Sequence, residues 1–234
     1  MSGAEINFEE GAVLLIDKPL EWTSFDVVNK IRYTIKLKKI GHAGTLDPLA
    51  TGLLILCTGK MTKRIEEFTA KEKEYTGELV LGKTTPSCDR ETEVDREFDI
   101  SSITEEMIRS VIPRFVGHIK QIPPIFSAIR VGGERLYKKA RRGEEVEIQP
   151  RDVFIKEFEI TEVLLPVIKF RVVCSKGTYI RSLVRDFGEA LESGAYMSEL
   201  RRTRIGEFNI HDAVQLEDFI IKHKKTVDHK SKEE

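Results

Sequence analysis

A short glycine-rich stretch, GHAGTLDPLATG from Gly41 to Gly52, has the residue types best suited to chemistry. It places one carboxylate, Asp47, directly before a proline and among small residues. Aspartate followed by proline is a common helix start, because the carboxylate accepts amide protons and proline has none to donate at the first helical position. The same carboxylate in a loop could instead serve as a nucleophile. The stretch by itself leaves both interpretations open.

A second residue suited to chemistry is Arg181, in the stretch KGTYIRSLVRDFGEALESG. This stretch predicts a helix with Thr178 as N-cap and an apolar stripe at helical spacing, formed by Ile180, Leu183, Val184, Phe187 and Leu191. Arg181 lies on the rim of the stripe and in the first turn, where the helix dipole disfavours a cation. This placement indicates a nearby carboxylate partner. The alternative is a surface arginine that faces solvent or Glu189.

The segment from Pro123 to about Arg151 is rich in basic residues and contains a Gly132-Gly133 turn signal. It predicts an exposed insertion or hairpin. It concentrates six basic residues, Arg130, Arg135, Lys138, Lys139, Arg141 and Arg142, with Glu134 as the lone acid between the first and the last of them. Basic runs are usually solvated faces, but this density is also typical of a clamp for phosphate groups.

The remaining elements follow from periodicity. The sequence predicts a strand over 11–19, a helix over 23–36, strands over 53–59 and 74–82, a solvated acidic connection over 87–106, and strands over 152–163 and 167–175. The early helix is expected to begin at Thr23 or Ser24 and to place Phe25, Val28, Ile31 and Ile35 on one face. In the strand over 74–82, Tyr75, Leu79 and Leu81 share a face. A short helix near the C-terminus is expected to give way to a disordered, lysine-rich tail.

Composition excludes several functional classes. The 38 basic and 39 acidic residues nearly balance, so net charge favours no particular partner. The three cysteines and five histidines show no metal-ligand spacing, which predicts no metal site. The N-terminal stretch MSGAEINFEEG has no apolar core of a signal peptide, and no stretch has the length of a membrane span. No phosphate loop, GxGxxG or GxSxG motif is present. The expectation is a cytoplasmic protein.

Five blocks resemble, in the same order, the bacterial tRNA pseudouridine synthase B (TruB) family. They are DKPLEWTSFDVVNKIR, GHAGTLDPLATGLLILCTGKMTK, KEYTGELVLGKTTPSCDRE, QIPPIFSAIRVGGERLYKKARRG and KGTYIRSLVRDFGEAL with LRRTRIG. Together they cover roughly residues 11–215.

The resemblance implies a function and a fold. The family isomerises uridine to pseudouridine at position 55 in the TΨC arm of tRNA, without cofactor or metal. The implied fold is α+β, a mixed and mostly antiparallel central sheet with surrounding helices and a central active-site cleft. The implied catalytic domain covers 8–210, with a mobile basic thumb at about 124–151, and 211–234 form a short C-terminal helix and tail. We expect a monomer whose partner is the T-arm stem-loop of tRNA.

The resemblance also implies roles for individual residues. Asp47 matches the catalytic aspartate, Tyr75 the residue stacked on the target base, and Arg181 the arginine that pairs with the catalytic carboxylate. His42 resembles the residue that holds the flipped-out substrate loop, and Asp89 is a further partner for Arg181. The other substrate-binding positions are Lys18, Pro19, Tyr179 and Leu200. The expected RNA-binding residues are the six basic residues of the thumb together with Lys60 and Lys63.

The chemistry requires these residue types. The carboxylate can attack the ribose, attack the ring or take a proton from the sugar, and an adjacent arginine favours its ionised form. Because the reacting face lies inside the base stack, the nucleotide must be flipped into a pocket. Tyr75 can then hold the uracil by stacking and is a candidate for removing the proton from ring carbon 5.

Three other functions compete with a stand-alone tRNA pseudouridine synthase. The first is the guide-RNA-dependent branch of the same superfamily, the second a non-catalytic RNA-binding protein on the same scaffold, and the third a general α/β phosphate-binding enzyme. The thumb favours the stand-alone branch over the first. Asp47, Tyr75 and Arg181 argue against the second, and the missing phosphate loop argues against the third.

The sequence departs from the bacterial family near its end. Only about 20 residues follow the last matching block, too few for the small C-terminal domain that adds RNA contacts in the family. We therefore expect no full C-terminal RNA-binding domain, and RNA affinity that is modest and strongly salt-dependent.

Overall fold

The computed structural model describes residues 6–127, 129–144 and 146–230, with backbone only at residue 131 and at 225–230. The chain forms two compact units. The first contains the chain up to Glu74 and from Arg201 onward, and the second is Tyr75–Leu200.

The strands, in chain order, are β1 (Val13–Lys18), β2 (Ile40–Ala43), β3 (Ala50–Thr58), β4 (Lys73–Leu81), β5 (Lys83–Thr84), β6 (Arg96–Glu97), β7 (Gly117–Gln121), β8 (Arg130–Val131), β9 (Glu134–Arg135), β10 (Arg151–Leu164), β11 (Val167–Cys174), β12 (Ala195–Ile205), β13 (Phe208–Asn209) and β14 (Val214–Gln215). The α-helices are α1 (Ser24–Thr34), α2 (Ile65–Ala70), α3 (Glu105–Ser110), α4 (Leu136–Ala140), α5 (Ile180–Ala190) and α6 (Leu216–Lys230). Short 3₁₀ helices cover Gly59–Arg64, Ile112–Phe115 and Ile210–Asp212. Among the described residues, no helix has the length and apolar character that crossing a bilayer requires.

Most of these strands belong to a mixed, largely antiparallel sheet, while β5 with β6 and β8 with β9 form separate two-stranded sheets. The fold is α+β, as expected. In the first unit β3 pairs antiparallel with both β1 and β2, while β1 pairs parallel with β14. In the second unit the strand order is β4-β11-β10-β7, and β10 is antiparallel to both of its neighbours.

Strand β3 is an almost continuous apolar run because both of its faces are covered. Leu54 and Leu56 belong to a core cluster that includes residues of α1 and α6. Leu53, Ile55 and Cys57 point the other way, into a cluster that contains Phe68 of α2. Side chains alternate along a strand, so a strand buried on both faces is apolar at most positions, and Thr51 and Thr58 are the polar ones here. The loop before β3 is therefore attached to one of the most deeply buried strands of the first unit.

Helix α1 begins where predicted and buries the predicted Val28 and Ile31, but it does not bury Phe25. Thr23 is the N-cap: its hydroxyl accepts from Asp26 N and the Asp26 carboxylate accepts from Thr23 N, which is a capping box. The buried side chains are Ser24, Val27, Val28 and Ile31, whereas Phe25 is 61% exposed. The prediction of Phe25 as a core residue is wrong, because the small polar Ser24 takes the inward position.

The core of the second unit is aromatic. Phe158 lies within 6.3 Å of Phe115, Phe170 and Phe187, measured between ring centroids, in mostly edge-to-face arrangements. Phe187 belongs to the predicted apolar stripe of α5, whose Ile180, Leu183 and Val184 are also buried. This packing holds α5, and Arg181 in its first turn, against strands β10 and β11.

Two predicted connections differ in detail. The stretch over 87–106 is not solvated throughout, because Ser87, Cys88, Asp89 and Ile103 are buried. The Gly132-Gly133 turn joins β8 to β9 as an antiparallel hairpin, and both glycines have positive φ, as predicted for a tight turn.

The lysine-rich C-terminal stretch is helical up to Lys230, because α6 continues through residues expected to be tail. Residues 231–234, and residues 1–5 of the N-terminal stretch, lie outside the described residues.

Candidate functional site

Asp47 lies in the loop of residues 44–49 between β2 and β3, and no helix follows it. Its carbonyl accepts from Ala50 N at 3.1 Å, which closes a turn that leads directly into β3. The helix-cap interpretation of Asp47 and Pro48 is therefore wrong. Asp47 itself is half-buried, while Thr45 and Pro48 on either side of it are exposed.

Ser24, the first residue of α1, fastens this loop at its centre. Its hydroxyl accepts from Leu46 N at 2.8 Å and donates to Leu46 O at 3.1 Å. Ser24 is 1% exposed and Leu46 is 3% exposed, so neither hydrogen bond competes with solvent. One side chain thus satisfies both main-chain groups of the residue before Asp47.

Lys18, at the end of β1, fastens the other side of Asp47. Its buried ammonium donates to Pro19 O at 2.8 Å, Trp22 O at 2.5 Å and Pro48 O at 3.2 Å. Burial lowers the pKa of Lys18 to about 8, and the negative charge of Asp47 opposes that shift. Lys18 and Pro19, both predicted site residues, therefore adjoin the Asp47 loop through hydrogen bonds to main-chain carbonyls.

Arg202, on β12, joins the start of the loop between β2 and β3 to strand β3 itself. Its guanidinium donates to Gly44 O at 3.0 Å and to Leu53 O at 2.8 Å, and the residue is 1% exposed. The backbone of β12 comes so close to Gly52 that a Cβ there would lie 2.3 Å from Arg202 O. Only glycine fits at that position, whose φ of +101° also disfavours other residues.

His42 lies on β2, two residues before Gly44, and is half-buried. Burial, and then the positive charge of Arg202, lower the pKa of His42 from its usual range. The imidazole is therefore neutral at neutral pH, and it can donate from one ring nitrogen and accept at the other.

In the second unit, Arg181 is buried among acceptors. Its guanidinium lies 3.5 Å from the Asp89 carboxylate and donates to Ser87 O at 3.2 Å and Phe126 O at 2.9 Å. Arg181 is 4% exposed, so the surface interpretation is wrong. The carboxylate neighbour expected from the helix dipole is present in Asp89.

The N-terminus of α5 is capped differently from the prediction. The N-cap residue is Tyr179, whose backbone N–H donates to the side-chain oxygen of Gln121 at 2.8 Å. Thr178 instead donates its hydroxyl to Ser175 O at 3.0 Å, so its prediction as N-cap is wrong.

The last two predicted substrate-binding residues lie on strands of the second unit. Tyr75 on β4 is 8% exposed, and it shares the buried face with Leu79 and Leu81 as predicted. Leu200 on β12 is also 8% exposed.

The basic thumb is partly neutralised by its own acids. Arg142 makes a bidentate pair with Glu134 and a second pair with Glu144, and Arg141 lies 3.1 Å from Glu91. The remaining predicted RNA-binding residues of the thumb are Arg130, Arg135, Lys138 and Lys139, of which Arg130 and Arg135 are register partners in the β8–β9 hairpin. Lys60 and Lys63 lie in the first unit, exposed on the 3₁₀ helix Gly59–Arg64.

Each unit thus brings together part of the predicted set. The first unit gathers Lys18, Pro19 and His42 around the Asp47 loop, and the second joins Arg181 to Asp89. Sequence reasoning missed Ser24 and Arg202 as supports of that loop. Ser24 was predicted only as a possible start of the helix. Arg202 lies in the block LRRTRIG, but no role was predicted for it.

In the described part of the chain, no three His, Cys, Asp or Glu side chains are grouped to hold a metal ion.

Two family models match the chain. The model described as TruB family pseudouridylate synthase, N-terminal domain, matches residues 32–180, which is more than half of the sequence. The model described as tRNA pseudouridylate synthase B C-terminal domain matches residues 181–233.

Curated proteins match over nearly their full length. The tRNA pseudouridine synthase B of Phocaeicola vulgatus is 56% identical over 220 residues, covering 92% of this chain and 94% of that protein. The enzyme of the same name from Flavobacterium johnsoniae is 56% identical over 214 residues, covering 88% of this chain and 93% of that protein.

Solved structures also match. The Cbf5-Nop10-Gar1 complex has a chain that aligns with a TM-score of 0.71 at 32% identity, covering 92% of this chain. The archaeal box H/ACA sRNP Nop10-Cbf5 complex aligns with a TM-score of 0.68 at 30% identity. This chain spans about half, 54%, of each of those chains. The family matches, the identities and the shared pseudouridine synthase fold agree with the resemblance seen in the sequence, and the chain belongs to the TruB family of pseudouridylate synthases, which are isomerases.

Proposed function

We propose that this protein isomerises uridine to pseudouridine at position 55 in the TΨC arm of tRNA, with Asp47 as the catalytic carboxylate. The observation that carries the proposal is the way the Asp47 loop is held. Buried Ser24, Lys18 and Arg202 fix the main chain on both sides of Asp47 while the flanking Thr45 and Pro48 stay exposed. Such fixation by buried polar groups is typical of a preorganised catalytic residue and unnecessary for a simple turn.

The reaction balances without any added reagent. The bond between ring nitrogen 1 and the ribose breaks, a bond between ring carbon 5 and the ribose forms, carbon 5 loses a proton and nitrogen 1 gains one. Substrate and product are isomers, so no oxidant or reductant enters. Asp47 must be ionised to attack the ribose or the ring or to take a sugar proton, and the charge of Lys18 beside it favours that form.

Roles for the other predicted residues are part of the same proposal. Tyr75 stacks on the target uracil, and neutral His42 holds the flipped-out RNA loop. Arg181, Tyr179, Asp89 and Leu200 contribute to substrate binding. The proposed partner is tRNA. The similar proteins from Phocaeicola vulgatus and Flavobacterium johnsoniae are both named tRNA pseudouridine synthase B.

The test is tritium release from a T-arm transcript that carries tritium at carbon 5 of uridine. The wild-type protein should release tritium and Asp47→Asn should not. Asp152→Asn is the matched control, because that aspartate is exposed and its carboxylate lies 3.8 Å from Lys120. After carbodiimide treatment of the RNA, reverse transcription should stop one nucleotide to the 3′ side of position 55.

Three outcomes would contradict the proposal. Release by Asp47→Asn at the wild-type rate would remove Asp47 from catalysis. A stop at another position would refute position 55. No release by the wild type, with tRNA still bound, would favour a non-catalytic RNA-binding protein.

A further inference from the structure

A buried carboxylate that the proposed reaction does not use lies beside Lys18 in the sequence. The side chain of Asp17, on β1, is 9% exposed, and both of its oxygens accept from Arg201 on β12, at 3.1 Å and 2.6 Å. One of these oxygens also accepts from the Gln215 side chain on β14 at 2.8 Å. The Arg201 guanidinium in turn donates to the Thr51 hydroxyl on β3 at 3.3 Å. We call Asp17, Thr51, Arg201 and Gln215 the Asp17 cluster.

The Asp17 cluster connects four neighbouring strands of the sheet. Their order is β14-β1-β3-β12, so Asp17 on β1 lies between the strand of Gln215 and the strand of Thr51. Arg201 lies one strand further away, and adjacent strands are about 4.8 Å apart, so its side chain crosses β3 to reach Asp17. Bidentate pairs between arginine and a carboxylate are among the stronger hydrogen-bonded contacts in proteins. One carboxylate therefore joins four strands at the same level of the sheet.

This level is the end of the ladder between β1 and β3. The last register pair of these strands is Lys18 with Gly52, one residue beyond Asp17. The next residue, Pro19, has no N–H with which to continue the ladder. Strand β1 pairs with β14 at only two register positions, and the second of them contains Asp17. Main-chain hydrogen bonds open most readily near the ends of elements, so side-chain contacts between strands have their largest effect here.

The residues that hold the Asp47 loop lie at the same level of the sheet. Lys18 follows Asp17 on β1, and Arg202 follows Arg201 on β12. Successive side chains of a strand point to opposite faces. Each of the two cations that donate to the main chain around Asp47 therefore lies on the other side of its strand from a member of the Asp17 cluster.

We propose that Asp17 is a positioning residue for the catalytic carboxylate. By keeping β1, β3 and β12 in place relative to one another, it keeps Lys18 and Arg202 where they hold the main chain around Asp47. Asp17 acts through these residues, so its loss lowers the rate of the chemical step and leaves the binding of RNA unchanged. This inference rests on the proposed function, since it takes Asp47 as the catalytic residue.

The first test compares Asp17→Asn with the wild type and with the matched control Glu72→Gln. Glu72 is a half-buried carboxylate of the same unit, and it pairs with Arg204 of β12 at 3.0 Å. Tritium release from the T-arm transcript gives kcat and KM for each protein. We expect kcat to fall about tenfold in Asp17→Asn only, as when a catalytic group is displaced, while KM stays at the wild-type value.

Substitutions of Arg201 separate the ion pair from a general effect on folding. Arg201→Lys keeps a cation beside Asp17 and should retain more of the wild-type kcat than Arg201→Gln, which removes that cation. Urea unfolding shows whether each variant is folded at the assay temperature. Lower stability with unchanged kcat would overturn the inference, because the pair would then be purely structural. A raised KM with unchanged kcat would also overturn it, because the cluster would then contact the RNA directly.

A second measurement needs no substrate. Hydrogen exchange of the RNA-free protein, read by mass spectrometry, reports opening of the Asp47 loop through the hydrogen-bonded amides of Leu46 and Ala50. Both amides should exchange faster in Asp17→Asn than in the wild type or in Glu72→Gln, and equal exchange in the three proteins would overturn the inference. Because this readout does not depend on catalysis, failure of the proposed reaction would be seen separately, as absent tritium release by the wild type.

Discussion

The hydroxyl of Ser24 makes two hydrogen bonds to one residue, accepting from Leu46 N at 2.8 Å and donating to Leu46 O at 3.1 Å. This pair joins the start of α1 to the loop that carries Asp47. A serine at a helix start would ordinarily cap its own helix, but here Thr23 takes the cap and Ser24 is free to hold the loop.

Replacing Ser24 with alanine should therefore affect both stability and activity. The variant leaves a buried N–H and a buried carbonyl without their partner, which costs about 1–3 kcal/mol. We expect that loss in the free energy of unfolding in urea, together with a fall in kcat. The control is Thr34→Ala, which removes a hydroxyl from the other end of α1, where it donates to Lys30 O. An unchanged kcat in Ser24→Ala would show that catalysis does not depend on the two hydrogen bonds between Ser24 and Leu46.

Replacing Arg202 with methionine should reduce activity more than stability. The variant leaves Gly44 O and Leu53 O without this donor but also removes the cost of burying a charge, so the two effects on the free energy of unfolding oppose each other. The start of the Asp47 loop and strand β3 lose their common donor, so kcat should fall at least about tenfold, as expected when a catalytic group is misplaced. Arg204→Lys, on the same strand, is the control, since Arg204 pairs with Glu72 and Gly206 O. Parallel losses of stability and activity would indicate a purely structural arginine.

Gly52→Ala should prevent normal folding. The added Cβ would lie 2.3 Å from Arg202 O, and that main-chain atom cannot move without separating two strands. The matched control is Gly133→Ala, which has a similar positive φ of +85° but nothing within 4 Å of the new Cβ. Because Gly133→Ala introduces only the strain of a side chain at positive φ, it should lower the free energy of unfolding by about 1–2 kcal/mol. Equal free energies of unfolding for the two variants would contradict the close approach of Arg202 to Gly52.

Asp89→Asn should lower the free energy of unfolding, because Asp89 is the carboxylate beside the buried Arg181 guanidinium. The Asp89 and Arg181 side chains are each 4% exposed, so the substitution removes a carboxylate charge that lies 3.5 Å from a buried guanidinium. Breaking one side of a buried pair costs about 3–5 kcal/mol. Asp95→Asn is the control, because that carboxylate is exposed and accepts only from Thr84 among the side-chain hydrogen bonds described. Urea unfolding and kcat/KM are the measurements, and similar results for both variants would contradict the prediction.

The depressed pKa of His42 predicts a dependence of stability on pH. Between the lowered folded pKa and the ordinary value of 6.5, the unfolded chain binds more protons at this histidine than the folded chain does. The free energy of unfolding should therefore fall as pH falls below 6.5. His42→Gln should lose that component, so the difference in stability between pH 7.5 and pH 5 should be smaller than in the wild type. An identical difference in the two proteins would mean that His42 is not buried as described.

Local patterns in the sequence determined much of the secondary structure. The apolar run of β3, the stripe of α5, the alternation of Tyr75, Leu79 and Leu81, and the turn at Gly132-Gly133 were all predicted correctly. Each depends on interactions between residues close in the chain or on a conformational preference of one residue. The order of the five blocks was also sufficient to identify the family and, through it, Asp47 as the residue to test.

The partners of the functional residues were decided only by the tertiary structure. The Arg202 guanidinium binds carbonyls 149 and 158 residues earlier, and Arg181 binds Ser87 O from 94 residues away. Phe25 is exposed and Ser24 buried because the Asp47 loop, not an apolar neighbour, lies against that face of α1. Hydrogen-bond partners across such separations depend on which elements become neighbours in the fold, and local periodicity does not contain that information.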